Sequence, residues 1–173
     1  MGPSGQNQLL EGNVMNIIKG DLLTLTSAGE FDVIVHGCNC FNNMGAGIAL
    51  IIANQYPAAR EVDANTKYGD KEKLGTYTQA KGLTKTNPVR SFTIINAYTQ
   101  YGCNATLNVD LFEYGAFEKI LYNLIEEFPT SSFGFPLIGC GLAGGDKRRI
   151  LDMIDDFSKM IENEVTIVEW DKW

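Results

Sequence analysis

Val33-Ile34-Val35-His36-Gly37-Cys38-Asn39 is the stretch that decides the fold class of this chain. Three β-branched apolar residues in a row, with no polar alternation, fit a strand buried on both faces, as in a parallel sheet covered by helices above and below. The run stops at His36-Gly37-Cys38-Asn39, and a polar, glycine-containing loop continues to Gly47. Ile48 to about Gln55 then has helical composition, and Pro57 restarts a helix at a first-turn position through Ala58-Ala59-Arg60-Glu61-Val62.

Working outward, Val14 to Ile18 reads as a first strand ending at Gly20-Asp21, and Gly75 to Ala80 and Phe92 to Ala97 read as further strands. Phe117, Ile120, Leu121, Leu124, Ile125 and Phe128 recur at helical spacing, as do Ile150, Leu151, Ile154, Phe157 and Ile161. Between these helices Phe133 to Ile138 is another apolar run, and it also empties into glycines: Gly139-Cys140-Gly141-Leu142-Ala143-Gly144-Gly145. Val165 to Trp170 closes the pattern as a strand. Alternating strands and helices predict an α/β sheet with helices on both faces, and two glycine loops fall at the carboxyl ends of strands, where such sheets bind ligands.

Composition sets the outer limits. At 173 residues one domain is expected, able to bury about 70% of the surface of its unfolded chain. Nine Phe, seven Tyr and two Trp argue against a solvated coil. The formal charge of −7 disfavours a surface that tracks a phosphate backbone, but not local phosphate binding through main-chain amides. The four cysteines, Cys38, Cys40, Cys103 and Cys140, fit reduced thiols in a cytoplasmic protein. The apolar run Ile48 to Ala53 is far short of a membrane span. Residues 1–12 read as a tag remnant and disordered leader, Met1-Gly2-Pro3-Ser4-Gly5 having the composition of a cloning scar, and 13–173 as a single domain.

Each chemistry-bearing residue has two readings. Gly45-Ala46-Gly47 before a helix offers a phosphate site, or only a tight connection needing positive φ; it is not a P-loop, since no Lys-Ser/Thr follows, and Leu50 breaks the dinucleotide pattern. Asp146 can cap the next helix, with Lys147-Arg148-Arg149 in its first turn, where cations oppose the dipole unless an anion lies nearby or they simply face solvent. His36, with an ordinary pKa of about 6.5, can act as acid, base or nucleophile, or be a hydrogen-bonded structural residue. Cys38-x-Cys40 lacks the further ligands a closed zinc site needs, and Cys140 fits packing better than nucleophilic attack. Asp21 can cap a short helix from Leu22 or accept a bond from a ligand amine; physics alone favours the cap.

In order and interval, Gly20-Asp21, Val33 to Asn39, Gly45-Ala46-Gly47-Ile48-Ala49 and Pro136-Leu137-Ile138-Gly139-Cys140-Gly141-Leu142 resemble the macrodomain family of ADP-ribose-binding modules, over nearly the whole span from Val14 to about Trp170. His-Gly-Cys-Asn, Gly-Ala-Gly and Asn96-Ala97-Tyr98-Thr99-Gln100 look like the branch holding ADP-ribose-1″-phosphate phosphatases and ADP-ribosyl-glutamate hydrolases. The resemblance implies a three-layer α/β/α fold with a mixed, mostly parallel sheet. It implies that Asp21, with Leu22, meets the adenine; that Asn39 holds the distal ribose; that Gly45, Ala46, Gly47 and Ile48 form the first loop; and that Ile138, Gly139, Cys140, Gly141 and Leu142 wrap the diphosphate. Trp170 is a candidate to stack on adenine.

His36 falls where the phosphatase branch has a histidine implicated in catalysis. The glutamate hydrolases place a lysine where Thr99 and Gln100 stand here, and a catalytic aspartate where Ala143 stands, with Asp146 three residues later; both departures count against lysine-dependent glycohydrolysis. The expected activity is hydrolysis of the terminal phosphate of ADP-ribose 1″-phosphate, with His36, Asn39 and Asp146 as the catalytic set and without metal or cofactor. Two alternatives are removal of ADP-ribose from protein or nucleic acid, and a non-catalytic ADP-ribose reader. The expected partners are ADP-ribose or a derivative, with ADP-ribosylated macromolecules as further partners, no membrane, and a monomeric chain.

Overall fold

The computed structural model describes residues 14–102, 111–140 and 144–170. The leader expected at 1–12, along with Cys103, Gly141, Leu142 and Ala143, lies outside the described residues. Six strands are β1 (Asn16–Gly20), β2 (Val33–Cys38), β3 (Tyr77–Leu83), β4 (Ser91–Tyr98), β5 (Phe133–Phe135) and β6 (Val165–Trp170). Five helices are α1 (Leu22–Ser27), α2 (Gly47–Gln55), α3 (Pro57–Ala64), α4 (Tyr114–Glu127) and α5 (Lys147–Ser158), with a short 3-10 turn at Lys71–Lys73. Among the described residues no helix is long and apolar enough to cross a membrane.

The strands form one sheet in the order β1-β6-β5-β2-β4-β3, parallel throughout except for the β3–β4 pair. Side chains alternate across it. Val33 and Val35 face a core built with Phe117, Ile120 and Leu124 of α4 and Ile150, Ile154 and Phe157 of α5. Ile34 faces the opposite core, built with Leu22 and Leu23 of α1, Ile52 and Ala53 of α2 and Ala59 of α3. The three-layer α/β/α architecture therefore follows from strands that are apolar on both faces and helices that are apolar on one.

The connection leaving β2 passes to the α1–α3 face, and the one leaving β5 passes to the α4–α5 face. Yet β2 and β5 are paired neighbours, Val33 with Phe133 and Ile34 with Gly134. This is a topological switch point: adjacent parallel strands whose connections part to opposite faces, the place where open α/β sheets hold ligands at the carboxyl ends of strands. Both glycine loops rise from these two strands.

Several boundaries differ from the sequence reading: β3, read as Gly75 to Ala80, runs from Tyr77 to Leu83, and two others have a plain physical reason. β5 stops at Phe135, because Pro136 has no N–H for the ladder, and Leu137 and Ile138 turn away with the Ile138 amide donating to the Pro136 carbonyl at 2.7 Å. β1 begins at Asn16 and is an edge strand with Ile17 and Ile18 exposed, so it lacks the second buried face that β2 has.

Candidate functional site

The first loop runs from the end of β2 to the start of α2 and is built by asparagines. Asn39 accepts from the Phe41 amide at 2.9 Å and donates to the Asn43 carbonyl at 2.9 Å, while Asn43 Oδ1 accepts from the Gly45 amide at 2.8 Å. The loop ends at Ala46, whose side chain offers no cap, so the first-turn amides of α2 point outward with the positive end of the helix dipole. Gly47 opens the helix at φ 58°, with open space where a Cβ would stand. A backbone so placed can approach an anion closely.

The second loop leaves β5 through Ile138 and Gly139. Gly139 has φ 74°, and a Cβ there would lie 2.2 Å from the Phe112 ring, so only glycine fits. The loop is closed by the Gly145 amide donating to the Gly139 carbonyl at 2.7 Å, and its end is pinned by the Asp146 amide donating to Tyr114 Oη at 2.8 Å. Asp146 Oδ1 then caps α5 by accepting from the Arg149 amide at 3.2 Å. The basic turn that follows is partnered: Lys147 with Glu169 at 3.2 Å, Arg148 with Asp152 at 3.6 Å, and Arg149 over the Tyr114 ring at 3.8 Å. Burial pushes the half-buried Cys140 thiol up, Lys147 opposing the shift and Asp146 adding to it, so it is held as a thiol.

At the far side of the same edge, Asp21 follows β1. Its Oδ1 accepts from the Leu23 and Thr24 amides at 3.0 and 3.3 Å, which makes it the cap of α1. Leu22 buries its side chain in the core. Gly20 pairs in register with Trp170 at the end of β6, so Asp21 and Trp170 terminate neighbouring strands. Asp21, Asn39, Gly45 to Ile48, Ile138 to Cys140 and Asp146 thus collect along one edge of the sheet; Gly141 and Leu142 lie outside the described residues.

His36 does not join them as expected. Its ring takes the face of Ile34, beneath α3, and is 1% exposed. Nε2 lies 2.6 Å from Asn96 Oδ1, and Asn96 Nδ2 is spent on the Ala59 carbonyl at 2.9 Å and Thr78 Oγ1 at 3.1 Å. The Asn96 oxygen must therefore accept, and His36 Nε2 carries the proton. Burial lowers the imidazole pKa to about 4, the Asn96 bond opposing only part of that shift. The expectation of a histidine titrating near neutral pH at the ligand is corrected: the ring is neutral, enclosed and already bonded, because strand alternation turns position 36 toward a helix layer. Among the described residues no three His, Cys, Asp or Glu side chains gather to hold a metal ion.

The chain is 31% identical over 163 residues to the uncharacterized 17.5 kDa protein in the tk-vs intergenic region of Enterobacteria phage T4, covering 91% of this chain and 97% of that protein. Its fold matches the macrodomain of Thermus aquaticus DarG with a TM-score of 0.67, at 18% identity, over 91% of this chain and 99% of that one. The chain has the macrodomain fold. A further structure sharing the macrodomain fold is Thermosipho africanus DarTG in complex with ADP-ribose, at a TM-score of 0.72 and 17% identity, over 93% of this chain and 43% of that one. A 44-residue stretch is 41% identical to the ADP-ribose 1″-phosphate phosphatase of Meyerozyma guilliermondii, 25% of each protein. No family model matches the chain.

Sequence reasoning missed several residues that shape this candidate site. Asn42 donates to the Thr66 carbonyl, which only the folded chain brings near, and Asn43 closes a local turn on the Gly45 amide two residues on. Thr99 Oγ1, at the end of β4, is a buried side-chain oxygen with no hydrogen-bond partner among the described residues. It faces Gly37, where a Cβ would approach it to 2.9 Å and Ile138 to 3.4 Å, so the ends of β2, β4 and β5 meet there. Glycine inside a strand was the available signal for that close approach.

Proposed function

We propose that this macrodomain binds ADP-ribose along the carboxyl edge of its sheet and hydrolyses a group carried on the distal ribose, the terminal phosphate of ADP-ribose 1″-phosphate. The observation that carries this reading is the switch point between β2 and β5, from which both glycine loops rise, the first of them ending at the uncapped start of α2. Strand order supplies the ligand's direction: adenine at β1 and β6 beside Asp21 and Trp170, diphosphate at β5 and β2, distal ribose toward Asn39 and the end of β4. Asp21 serves both of its readings in this arrangement, since Oδ1 caps α1 and Oδ2 is left for an adenine amino group. Leu22 contributes main chain only.

The nucleophile in this reading is water rather than His36. Water oxygen bonds to phosphorus, the bond from phosphorus to the ribose oxygen breaks, and that oxygen takes up the proton that the water gives up, leaving inorganic phosphate and the free ribose hydroxyl. Asp146 Oδ2, the oxygen not engaged in capping α5, is placed to orient that water, and the Asn39 amide retains one hydrogen for the ribose. The partial similarity to an ADP-ribose 1″-phosphate phosphatase supports the phosphate as the group removed. The burial of His36 favours a second reading, a binder without turnover.

Calorimetry with ADP-ribose, followed by phosphate release from ADP-ribose 1″-phosphate by wild type and Asp146→Ala, tests both. Micromolar binding with phosphate release that falls at least tenfold in Asp146→Ala is expected. Binding with no release leaves the reader; no binding removes the whole assignment.

A further inference from the structure

Lys73 is a buried lysine with no carboxylate within ion-pair distance among the described residues, and it is 8% exposed. Its ammonium instead donates to Asn42 Oδ1 at 2.7 Å and to Thr66 Oγ1 at 2.8 Å, and lies 5.3 Å from the centre of the Tyr98 ring. Tyr98 Oη donates to the buried Asp63 at 2.8 Å, and the Lys73 charge opposes the rise in the Asp63 pKa that burial causes. A desolvated cation held by an amide, a hydroxyl and a ring is an expensive arrangement, and each partner must keep its geometry for it to persist.

The partner that matters is Asn42. It is the one non-glycine residue of positive φ among the described residues, at 51°, in the middle of the first loop. Its Nδ2 donates to the Ala64 carbonyl at 3.3 Å and the Thr66 carbonyl at 2.9 Å, at the end of α3, while its Oδ1 takes the lysine. Asn42 thereby ties the loop between β2 and α2 to α3 on one side and to the Lys71–Lys73 turn on the other. The residues next to it, Asn39 and Asn43, set the loop that ends in the bare amides of α2.

We infer that Lys73, through Asn42, is a positioning residue for the ligand: the pair is a latch that holds the first loop and the α2 amides in the arrangement that receives phosphate and distal ribose. This rests on the ADP-ribose reading for its ligand, and not for its effect on the loop. Lys73→Met keeps the volume and removes the cation. Asn42→Gly keeps the backbone conformation and removes the amide.

Two measurements read the latch: ADP-ribose affinity by calorimetry, and hydrogen exchange in ligand-free protein of the hydrogen-bonded loop amides of Phe41, Gly45 and Leu50. Each variant is expected to bind ADP-ribose about tenfold more weakly and to exchange those amides at least tenfold faster, with α4 amides unchanged. The double variant is expected to be no worse than the poorer single one, because both remove one device. Unchanged affinity and exchange, or faster exchange spread equally through α4, overturns the latch. Should Lys73→Met fail to fold, Asn42→Gly gives the same decision. If wild type binds no ADP-ribose, the ligand assignment falls, while exchange at Phe41, Gly45 and Leu50 still decides the latch.

Discussion

His36 Nε2 donates to Asn96 Oδ1 across 2.6 Å between the paired strands β2 and β4, beneath α3. Nε2–H can donate in either charge state, so it is burial that takes the pKa to about 4 against an ordinary 6.5, with the Asn96 bond opposing part of that shift. Above pH 6.5 the ring is neutral in both folded and unfolded chains. Between 6.5 and about 4 only the unfolded chain takes up the proton, so stability falls as pH falls through that window. A difference of about 2.5 units corresponds to roughly 3 kcal/mol. Denaturant unfolding of wild type and His36→Gln at successive pH values checks this: the gap between the two curves should change between pH 6.5 and 4 and stay constant above. A constant gap throughout contradicts the enclosed neutral ring.

Asp21→Asn separates the capping role of this residue from its proposed role at adenine. Asparagine caps as well as aspartate, so stability should change by less than about 0.5 kcal/mol. Affinity for ADP-ribose should fall about tenfold, because an uncharged amide replaces the carboxylate oxygen left for the amino group. Calorimetry beside thermal unfolding reads both numbers, and unchanged affinity would confine Asp21 to the cap.

Thr99→Val should stabilise the ligand-free protein by about 1 kcal/mol, since it removes a buried hydroxyl that lacks a partner and keeps the shape. Chemical denaturation gives the sign directly. Destabilisation would show that the hydroxyl does have a partner in solution.

Gly139→Ala and Gly47→Ala share positive φ but not surroundings. At Gly139 the added methyl meets the Phe112 ring, and a loss of about 3 kcal/mol or more is expected from strain and overpacking together. At Gly47 it meets nothing, so only the backbone penalty of about 1 kcal/mol applies. The Gly47 variant should instead lose ADP-ribose affinity, because the methyl stands where the backbone would approach phosphate. Equal stability losses in the two variants would refute the distinction.

The places of several candidate residues in the fold were legible before the structure. Asp21 and Asn39 each follow a strand by one residue, and the glycines at 45, 47 and 139 lie in connections that leave strands, because glycine and aspartate mark such places. The face of His36 was not legible: a strand buried on both sides offers two apolar layers, and nothing local says which one receives the ring. Nor was the Lys73–Asn42 pair, since a lysine amid Lys71, Glu72 and Asp70 reads as solvated until α3 and the first loop close over it.

Period and punctuation in the amino-acid order were enough to establish a parallel sheet clothed by helices, with α4 and α5 placed by their stripes and two glycine turns placed after strands, because these are short-range consequences of backbone geometry. Only the folded chain decided that β2 and β5 lie side by side, that their connections part to opposite faces, and that a histidine beside the candidate site is sealed away from it. Those outcomes depend on which distant segments exclude water together, and on the low-dielectric surroundings that result, neither of which is encoded at any single position.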